Sequence, residues 1–436
     1  MRFRSIMDCF CMFLEYFAKN TSIHGIHFIG NKENPCVGRI LWLIIVLFAL
    51  SCSYIIIKSN WNHYIESPTV VTIKKDFRNW ENPFPAATGC FLNKVDEGKA
   101  ATFIETRWNI SKHNEKYEYY LNFVKTVSNL TYETFHTLEK FKNDAKLNEI
   151  DFVSLITNVH PELSGTLVTF QSKVEPKWNF IMTELGLCFT LNYRFAELLS
   201  PNLILNTKPK FEVDFLKCHY LNGLCYARYD CDNNVSIAFH IHSPLEVIHA
   251  TSERPLNIKT SEECEVNYKL TQTYSLEDIR YLTPNQRKCR FDDEPLTANV
   301  PVYSTSICYM ECRYRLSMEM CGCKPFFYTF LDGKQCDITG LLCLAKISNL
   351  FNRTTQIRCD CAQPCNLIVY LKQVPKITEW DIEFFEQRVA FRWGLILPTT
   401  KYQRKIIFGS QELMGKHNTH MSQASVLLEY WDILNL

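Results

Sequence analysis

Cysteines are the residues of this 436-residue chain whose type and spacing point most clearly to a chemistry. Ten of its twenty cysteines lie within residues 289–365. Cys308 and Cys312 are four apart, about one helical turn, whereas Cys359 and Cys361 are two apart, the repeat of one strand face. A helix antiparallel to a strand can therefore join Cys312 to Cys359 and Cys308 to Cys361 as disulfides. Such oxidised cysteines indicate an oxidising compartment.

The same nested arrangement extends inward and outward along the chain. Cys321 and Cys323 cannot easily close on each other across one residue, but each can reach a partner over a hairpin. The further pairs would be Cys321–Cys343, Cys323–Cys336 and, outermost, Cys289–Cys365. A zinc site is the alternative, and C-x2-C pairs usually mark it. The C-x-C and C-x3-C spacings here, without a histidine pair nearby, favour disulfides and predict no metal.

Two other groups contain residue types that enzymes and metal sites use. Asp230-Cys231-Asp232 has the D-x-D form with which lumenal glycosyltransferases hold a metal and a nucleotide sugar, but it lies in a cysteine cluster and a chance match is favoured. His240 and His242 share a strand face and could bind zinc with His249, whereas surface histidines on a strand are the simpler interpretation.

Composition and missing motifs exclude several function classes. The sequence contains no nucleophile elbow, phosphate loop or paired-carboxylate signature, so it predicts no enzyme and no cofactor. A net charge of +1 and a pI near 7.5 give no electrostatic basis for a nucleic-acid partner. The 47% of hydrophobic residues suffice for one large or two modest cores.

A membrane span is predicted at Ile40 to Ile57, eighteen uncharged and mostly apolar residues. As a helix they would measure about 27 Å, against a hydrocarbon core of about 30 Å. A cleaved signal peptide is the alternative, but the run begins late, is long and lacks a small-x-small exit. Ser51 and Cys52 within it could line a pore, although small residues in membrane helices more often pack against neighbours.

Cysteines also orient the span. Lysines and arginines are balanced on its two sides, so the positive-inside rule barely decides. Sixteen cysteines, an even number, follow Lys58, which predicts an extracellular carboxyl-terminal side and a cytosolic segment 1–39. Four sequons on the extracellular side are glycosylation candidates: Asn109, Asn129, Asn234 and Asn352.

The elements that would position these residues mix helices and strands. Aromatic and aliphatic residues recur at helical spacing in 115–147, and alternation predicts strands at 236–242 and 389–397. Because no βαβ rhythm is present, the expected class is α+β. The expected domains are a cytosolic 1–39, a span 40–57, one compact cysteine-rich body 58–407 and a divergent tail 408–436.

Nine landmarks assemble in a fixed order. They are His24-Gly25, FPAATGC at 84–90, LCFTLN at 187–192, FHIHSPLEV at 239–247, NQRKCRFDDE at 285–294, YSTSICYMECRYR at 303–315, CGCKPFF at 321–327, CDCAQPCNLIVY at 359–370 and KYQRKIIFG at 401–409. This order resembles the degenerin/epithelial sodium channel family, especially its insect pickpocket branch, over roughly residues 20–414.

The resemblance implies a subunit of a trimeric, sodium-selective, amiloride-sensitive type channel of the plasma membrane. Such subunits have short cytosolic ends, two membrane helices and an extracellular domain with a palm sheet, a cysteine-rich helical thumb and a finger. The implied partners are the lipid bilayer, identical or related subunits in a homo- or hetero-trimer, and sodium as the permeant ion.

Individual residues carry over from the matching motifs. The thumb bridges implied by the family are the five pairs already suggested by spacing, and Cys90 would pair with Cys188. Cys218, Cys225, Cys231 and Cys264 match no family position, which leaves three connectivities open. His24-Gly25 falls where the family keeps a His-Gly pair that governs gating from the cytosolic side.

The chain departs from the family after about Met414. The family's second membrane helix should begin near Phe408 and carry a Gly-x-Ser type filter. Residues 415–436 include Lys416, Glu429 and Asp432 and no stretch that could cross a bilayer. We therefore expect a truncated product, with a non-conducting or regulatory subunit as the alternative. A single-span receptor or adhesion protein is the remaining interpretation.

Overall fold

The computed structural model describes residues 16–17, 20–21, 25–30, 34–170, 177–202, 215–232, 234–297, 300–348, 359–380 and 388–407. The helices are α1 Ile26–Gly30, α2 Cys36–Glu66, α3 Glu97–Trp108, α4 Tyr117–Ser128, α5 Ala145–Asn148, α6 Phe152–Val159, α7 Pro284–Arg287, α8 Thr305–Cys321 and α9 Ile338–Lys346.

The strands follow the same chain order. They are β1 Thr69–Lys74, β2 Glu81–Pro83, β3 Ala86–Phe91, β4 Gly165–Thr169, β5 Asn179–Thr183, β6 Gly186–Leu191, β7 Lys217–His219, β8 Cys225–Cys231, β9 Ile237–His242, β10 Leu256–Ile258, β11 Glu262–Ser275, β12 Cys289–Arg290, β13 Gln363–Pro364, β14 Leu367–Lys372, β15 Lys376–Glu379, β16 Val389–Ile396 and β17 Lys401–Ile406.

Helix α2 contains the predicted span and extends beyond it at both ends. It has 31 residues and includes an eighteen-residue window of mean hydropathy 2.8. Val46 is the one residue of α2 that is buried within the chain, so the apolar surface of the helix is left for lipid or for other helices. The prediction of an amino-terminal apolar helix long enough to cross a membrane is confirmed.

The chain divides into two compact units. One comprises residues 1–72, 276–287 and 404–436, and the other comprises 73–275 and 288–403. In the first unit the short helix α7 contacts α2, although more than two hundred residues separate them in the chain. Residues 276–287 and 404–407 thus belong to the same unit as the span, although they are distant from it in sequence.

Two sheets contain most of the described strands. The first has the order β1-β17-β11-β16-β8-β4, with β14 and β15 also paired to β11, and the second has the order β10-β9-β3-β6-β5. Strand β16 runs parallel to β11 and antiparallel to β8. The small pairs β12–β13 and β2–β7 complete the strands among the described residues.

Alternate residues of β16 contribute to the core between the two sheets. Val389, Phe391 and Trp393 are fully buried, and Phe391 stacks on Phe239 of β9 with ring centroids 4.4 Å apart. Burying one such aromatic side chain stabilises the fold by about 1.5–3 kcal/mol. The strands predicted at 236–242 and 389–397 are confirmed as β9 and β16.

A second core lies among the helices. Tyr117, Tyr120 and Val124 recur at helical spacing and are buried on one side of α4. The helix ends at Ser128 rather than continuing to 147, and in the turn that follows the Thr134 hydroxyl donates to the Asn129 carbonyl. A 3₁₀ helix at Phe135–Phe141 and the short α5 follow. Helices and two mainly antiparallel sheets together confirm the α+β class.

Candidate functional site

The segment before the span packs against it at Gly25. Gly25 is buried with φ +87°, and a Cβ built there would lie 2.8 Å from Val46 Cγ2 and 3.4 Å from Trp42 Cε3. The ring of Phe28 stacks on Trp42 at 4.6 Å. Val46 lies six residues after Ile40, where the apolar run begins, which is about 9 Å along the helix. Gly25 and Phe28 therefore lie beside the span, and His24 lies outside the described residues.

Two small polar residues lie within the span. The hydroxyl of Ser51 donates to the Leu47 carbonyl one turn earlier, at 2.8 Å. Its hydrogen-bonding need is met within its own helix. Cys52 is half-buried.

Five concentric disulfides bind the region 289–365. They are Cys289–Cys365, Cys308–Cys361, Cys312–Cys359, Cys321–Cys343 and Cys323–Cys336. These are the pairs that spacing and resemblance suggest. Their Cα atoms are 4.9–6.0 Å apart, within the usual range for disulfides.

Two of the elements that carry these cysteines differ from those predicted. Helix α8 carries Cys308 and Cys312 as expected, but residues 359–361 form no strand. Cys343 lies on helix α9 and not on a hairpin. The bridges form nonetheless, because a disulfide requires the right Cα separation and not a ladder of backbone hydrogen bonds.

Of the six other cysteines that follow the span, four form disulfides and two do not. Cys90 on β3 is bonded to Cys188 on β6, and Cys218 is bonded to Cys225. Cys231 on β8 and Cys264 on β11 are separated by β16, so two strand spacings, about 9.6 Å, lie between their strands. That separation exceeds the reach of a disulfide. Burial raises the pKa of the Cys264 thiol to about 11.

The alternative metal ligands have other partners. The Asp230 carboxylate accepts a bifurcated hydrogen bond from Arg228 Nε, 3.0 Å from each oxygen, and Asp232 lies 3.7 Å from Arg388. His242 contacts the Thr88 hydroxyl and the Ser243 carbonyl through its two ring nitrogens. Across the part of the chain that the structure describes, no group of three potential ligands is placed to hold a metal ion.

Burial keeps the histidines of this region neutral. It lowers the pKa of His240, His242 and His249 to about 4 in each case. An imidazole with that pKa is uncharged at physiological pH and acts as a hydrogen-bonding group. These three side chains therefore add no positive charge to their surroundings.

Sequence reasoning missed Glu246. Its half-buried carboxylate accepts hydrogen bonds from the backbone N–H groups of Thr305 and Ser306 at 3.0 and 2.8 Å, and from the Ser306 hydroxyl. It thus caps helix α8 from a loop about sixty residues earlier in the chain. Burial raises the pKa of Glu246 despite these donors. The capping-box position of α8, where Glu or Gln is usual, is Ile307. The lack of a local acid is the one weak sequence signal that a distant acid caps this helix.

A buried ion pair, also missed, lies behind α8. Arg313 donates two hydrogen bonds of 2.7 Å to Glu184, which also accepts from the Tyr328 hydroxyl and the Ala250 N–H. Burial alone would raise the pKa of Glu184, but the Arg313 guanidinium lowers it overall. Glu184 and Arg313 are 0% and 3% exposed, so the pair joins α8 to the β5–β6 turn without water.

Lys94 is a buried cation that no sequence signal marks. Its ammonium donates to the Leu185 carbonyl, and a Cβ at Gly186 would lie 2.9 Å from Nζ. Burial lowers the pKa of Lys94 to about 8. In sequence, Lys94 sits in a polar stretch that predicts a surface loop.

Comparison with known proteins finds a matching family and several relatives of the chain. The sequence profile described as "Amiloride-sensitive sodium channel" matches residues 17–433. The chain is 28% identical over 331 residues to the bile acid-sensitive ion channel of Mus musculus, covering 74% of this chain and 61% of that protein. It is 21% identical over 394 residues to the sodium channel protein Nach of Drosophila melanogaster, covering 81% and 71%.

A third relative gives the same picture. Pickpocket protein 11 of Drosophila melanogaster is 20% identical over 373 residues, with coverage of 82% and 60%. The chain thus spans about 60% of the length of the mouse relative and of this one. The match to the family profile extends over the span, both sheets and the disulfide region together.

Proposed function

Because the chain belongs to the amiloride-sensitive sodium channel family, we propose that it is a subunit of a sodium-selective, amiloride-sensitive type ion channel of the plasma membrane. The observation that carries the proposal is the family match over residues 17–433, which takes in the apolar helix α2 and the concentric disulfides. The permeant ion would be sodium, and the subunit would assemble as a homo- or hetero-trimer.

The proposed topology places the amino terminus in the cytosol and both sheets outside the cell. Seven disulfides after α2 support it, since such bonds persist in oxidising compartments. The sequons Asn109, Asn129 and Asn234 are exposed and open to glycosylation, and Asn352 lies outside the described residues. Loss of apparent mass on treatment with an N-glycosidase, abolished by Asn129→Gln with the other sequons removed, tests this orientation.

The proposed gating element is the pair His24-Gly25 with the segment that follows it. The packing of Gly25 against Val46 supports a role for this segment at the cytosolic end of the ion path. A residue larger than glycine would have to displace the span or the segment. The contact thus links the position of residues 25–30 to that of α2.

Conduction can be tested with a chimera. Residues 1–407 are joined to the second membrane helix of a conducting relative and expressed in cells that contain no family member. We expect a surface-delivered protein that carries an amiloride-blocked current, with a reversal potential that follows the sodium gradient. Cys312→Ser in the same chimera is the control for the extracellular fold, and it should reduce surface delivery and current together. Surface-delivered chimera that passes no sodium current would refute the proposal.

A further inference from the structure

A cavity of about 280 Å³ opens beside the capped end of helix α8. Its lining includes His240 of β9 and Tyr268 of β11, and Lys372 of β14 is paired with Tyr268 in the ladder. Residues of loop 243–255 also line it, and Ile368 and Leu256 supply apolar surface. The volume lies near the lower end of the range for small-molecule pockets and exceeds the needs of a simple ion.

The charges around this cavity are unbalanced. Arg254 and Lys372 at its mouth are exposed, and among the described residues neither forms an ion pair. Glu253 is the one exposed carboxylate in the lining, so two cations less one anion leave a charge of +1. The other lining carboxylate, Glu246, is committed to the α8 N–H groups.

The interior adds hydrogen-bonding groups without charge. His240 is neutral at physiological pH, as shown above, and Tyr268 contributes a hydroxyl of an almost fully buried ring. Such groups orient a polar head, while Ile368 and Leu256 pack against an apolar body. A cation would meet two unpaired positive side chains at the entrance, which disfavours that class of ligand.

We propose that this cavity is a binding site for a small organic anion with a flat apolar body and one carboxylate. The carboxylate would pair with Lys372 and Arg254, and the body would enter toward Tyr268 and Ile368. Nothing in this inference requires the chain to conduct, so its failure would leave the channel proposal untouched.

Direct binding to the full 436-residue chain in lipid nanodiscs tests the site. The probe is 2-naphthoate, followed by saturation-transfer NMR and corrected with empty nanodiscs. For a fragment of about 13 non-hydrogen atoms, Kd is expected on the order of 1 mM. Neutral 2-naphthamide and cationic 2-naphthylmethylammonium, of nearly the same shape, should each bind about tenfold more weakly or not at all.

Variants locate the site. Lys372→Gln should weaken naphthoate binding about tenfold, and Lys372→Arg should retain it. Lys269→Gln is the matched control, because this exposed lysine lies next to Tyr268 on β11 but outside the cavity lining. It should change Kd less than about twofold.

Three results would each overturn the proposal. One is no saturable naphthoate binding at about 10 mM, tenfold above the expected Kd. Another is equal binding of naphthoate and naphthamide. The third is an equal effect of Lys372→Gln and Lys269→Gln. If Lys372→Gln fails to fold, Arg254→Gln at the exposed rim decides by the same criterion.

Discussion

Replacing Gly25 with alanine should detach the amino-terminal segment from the span. Two costs add. The backbone at φ +87° is strained for any residue with a Cβ, by about 1–2 kcal/mol. The new methyl group would also stand 2.8 Å from Val46 Cγ2, closer than carbon atoms approach in proteins. Overpacking of that kind costs about 1–3 kcal/mol.

The two costs can be separated because the second depends on Val46 alone. Their sum, about 2–5 kcal/mol, would lower the population of the packed arrangement about 30-fold or more. In Gly25→Ala/Val46→Ala the γ-methyl groups are gone and only the backbone strain remains. The double variant should recover about tenfold of the lost population, whereas Val46→Ala alone should have a small effect.

Hydrogen–deuterium exchange of the peptide containing residues 25–30 measures this population in nanodiscs. Faster exchange in Gly25→Ala, partly reversed by Val46→Ala, is the expected pattern. In the conducting chimera the same two variants should change open probability in parallel. Unaltered exchange in Gly25→Ala, or a double variant no better protected than the single one, would show that the contact does not hold the segment.

The other predictions concern the extracellular fold. Arg313→Met should destabilise it by about 3–5 kcal/mol in denaturant unfolding, because Glu184 would remain buried without a counter-charge. Arg280→Met, at an exposed pair, should cost less than about 1 kcal/mol, and similar losses for both would contradict this reasoning. For Lys94 the unfolded pKa of 10.5 exceeds the folded value of about 8, so the unfolded state binds more protons between them. Stability should therefore rise with pH between these two values. From pH 7 to 9, the free energy of unfolding of the wild type should increase by about 1.3 kcal/mol relative to that of Lys94→Met. A difference that does not change with pH would contradict this reasoning.

Local patterns predicted local structure well. The apolar run at 40–57 predicted α2, alternation predicted β16, and cysteine spacing suggested the pairs on α8. Each depends on a period that belongs to one element, or on a separation along one element. Such signals do not depend on contacts with the rest of the chain.

Contacts between distant segments could not be predicted in the same way. Glu246 caps a helix that begins 59 residues later, and Glu184 meets Arg313 over 129 residues. A lone glutamate reads as a surface residue until its partner is known. Of Cys218, Cys225, Cys231 and Cys264, only the first two are disulfide-bonded, because the sheet order places β16 between the strands that carry Cys231 and Cys264.

The concentric bridges have a consequence for biosynthesis. Their sequence separations are 13, 22, 47, 53 and 76 residues, and each bridge encloses the one before it. The chain emerges from its amino-terminal side, so the second cysteines become available in the order 336, 343, 359, 361 and 365. The innermost ring can close first, and every closure shortens the path that the next must span. Oxidation can thus proceed during translocation without threading one loop through another, whereas Cys90 must wait for a partner 98 residues away.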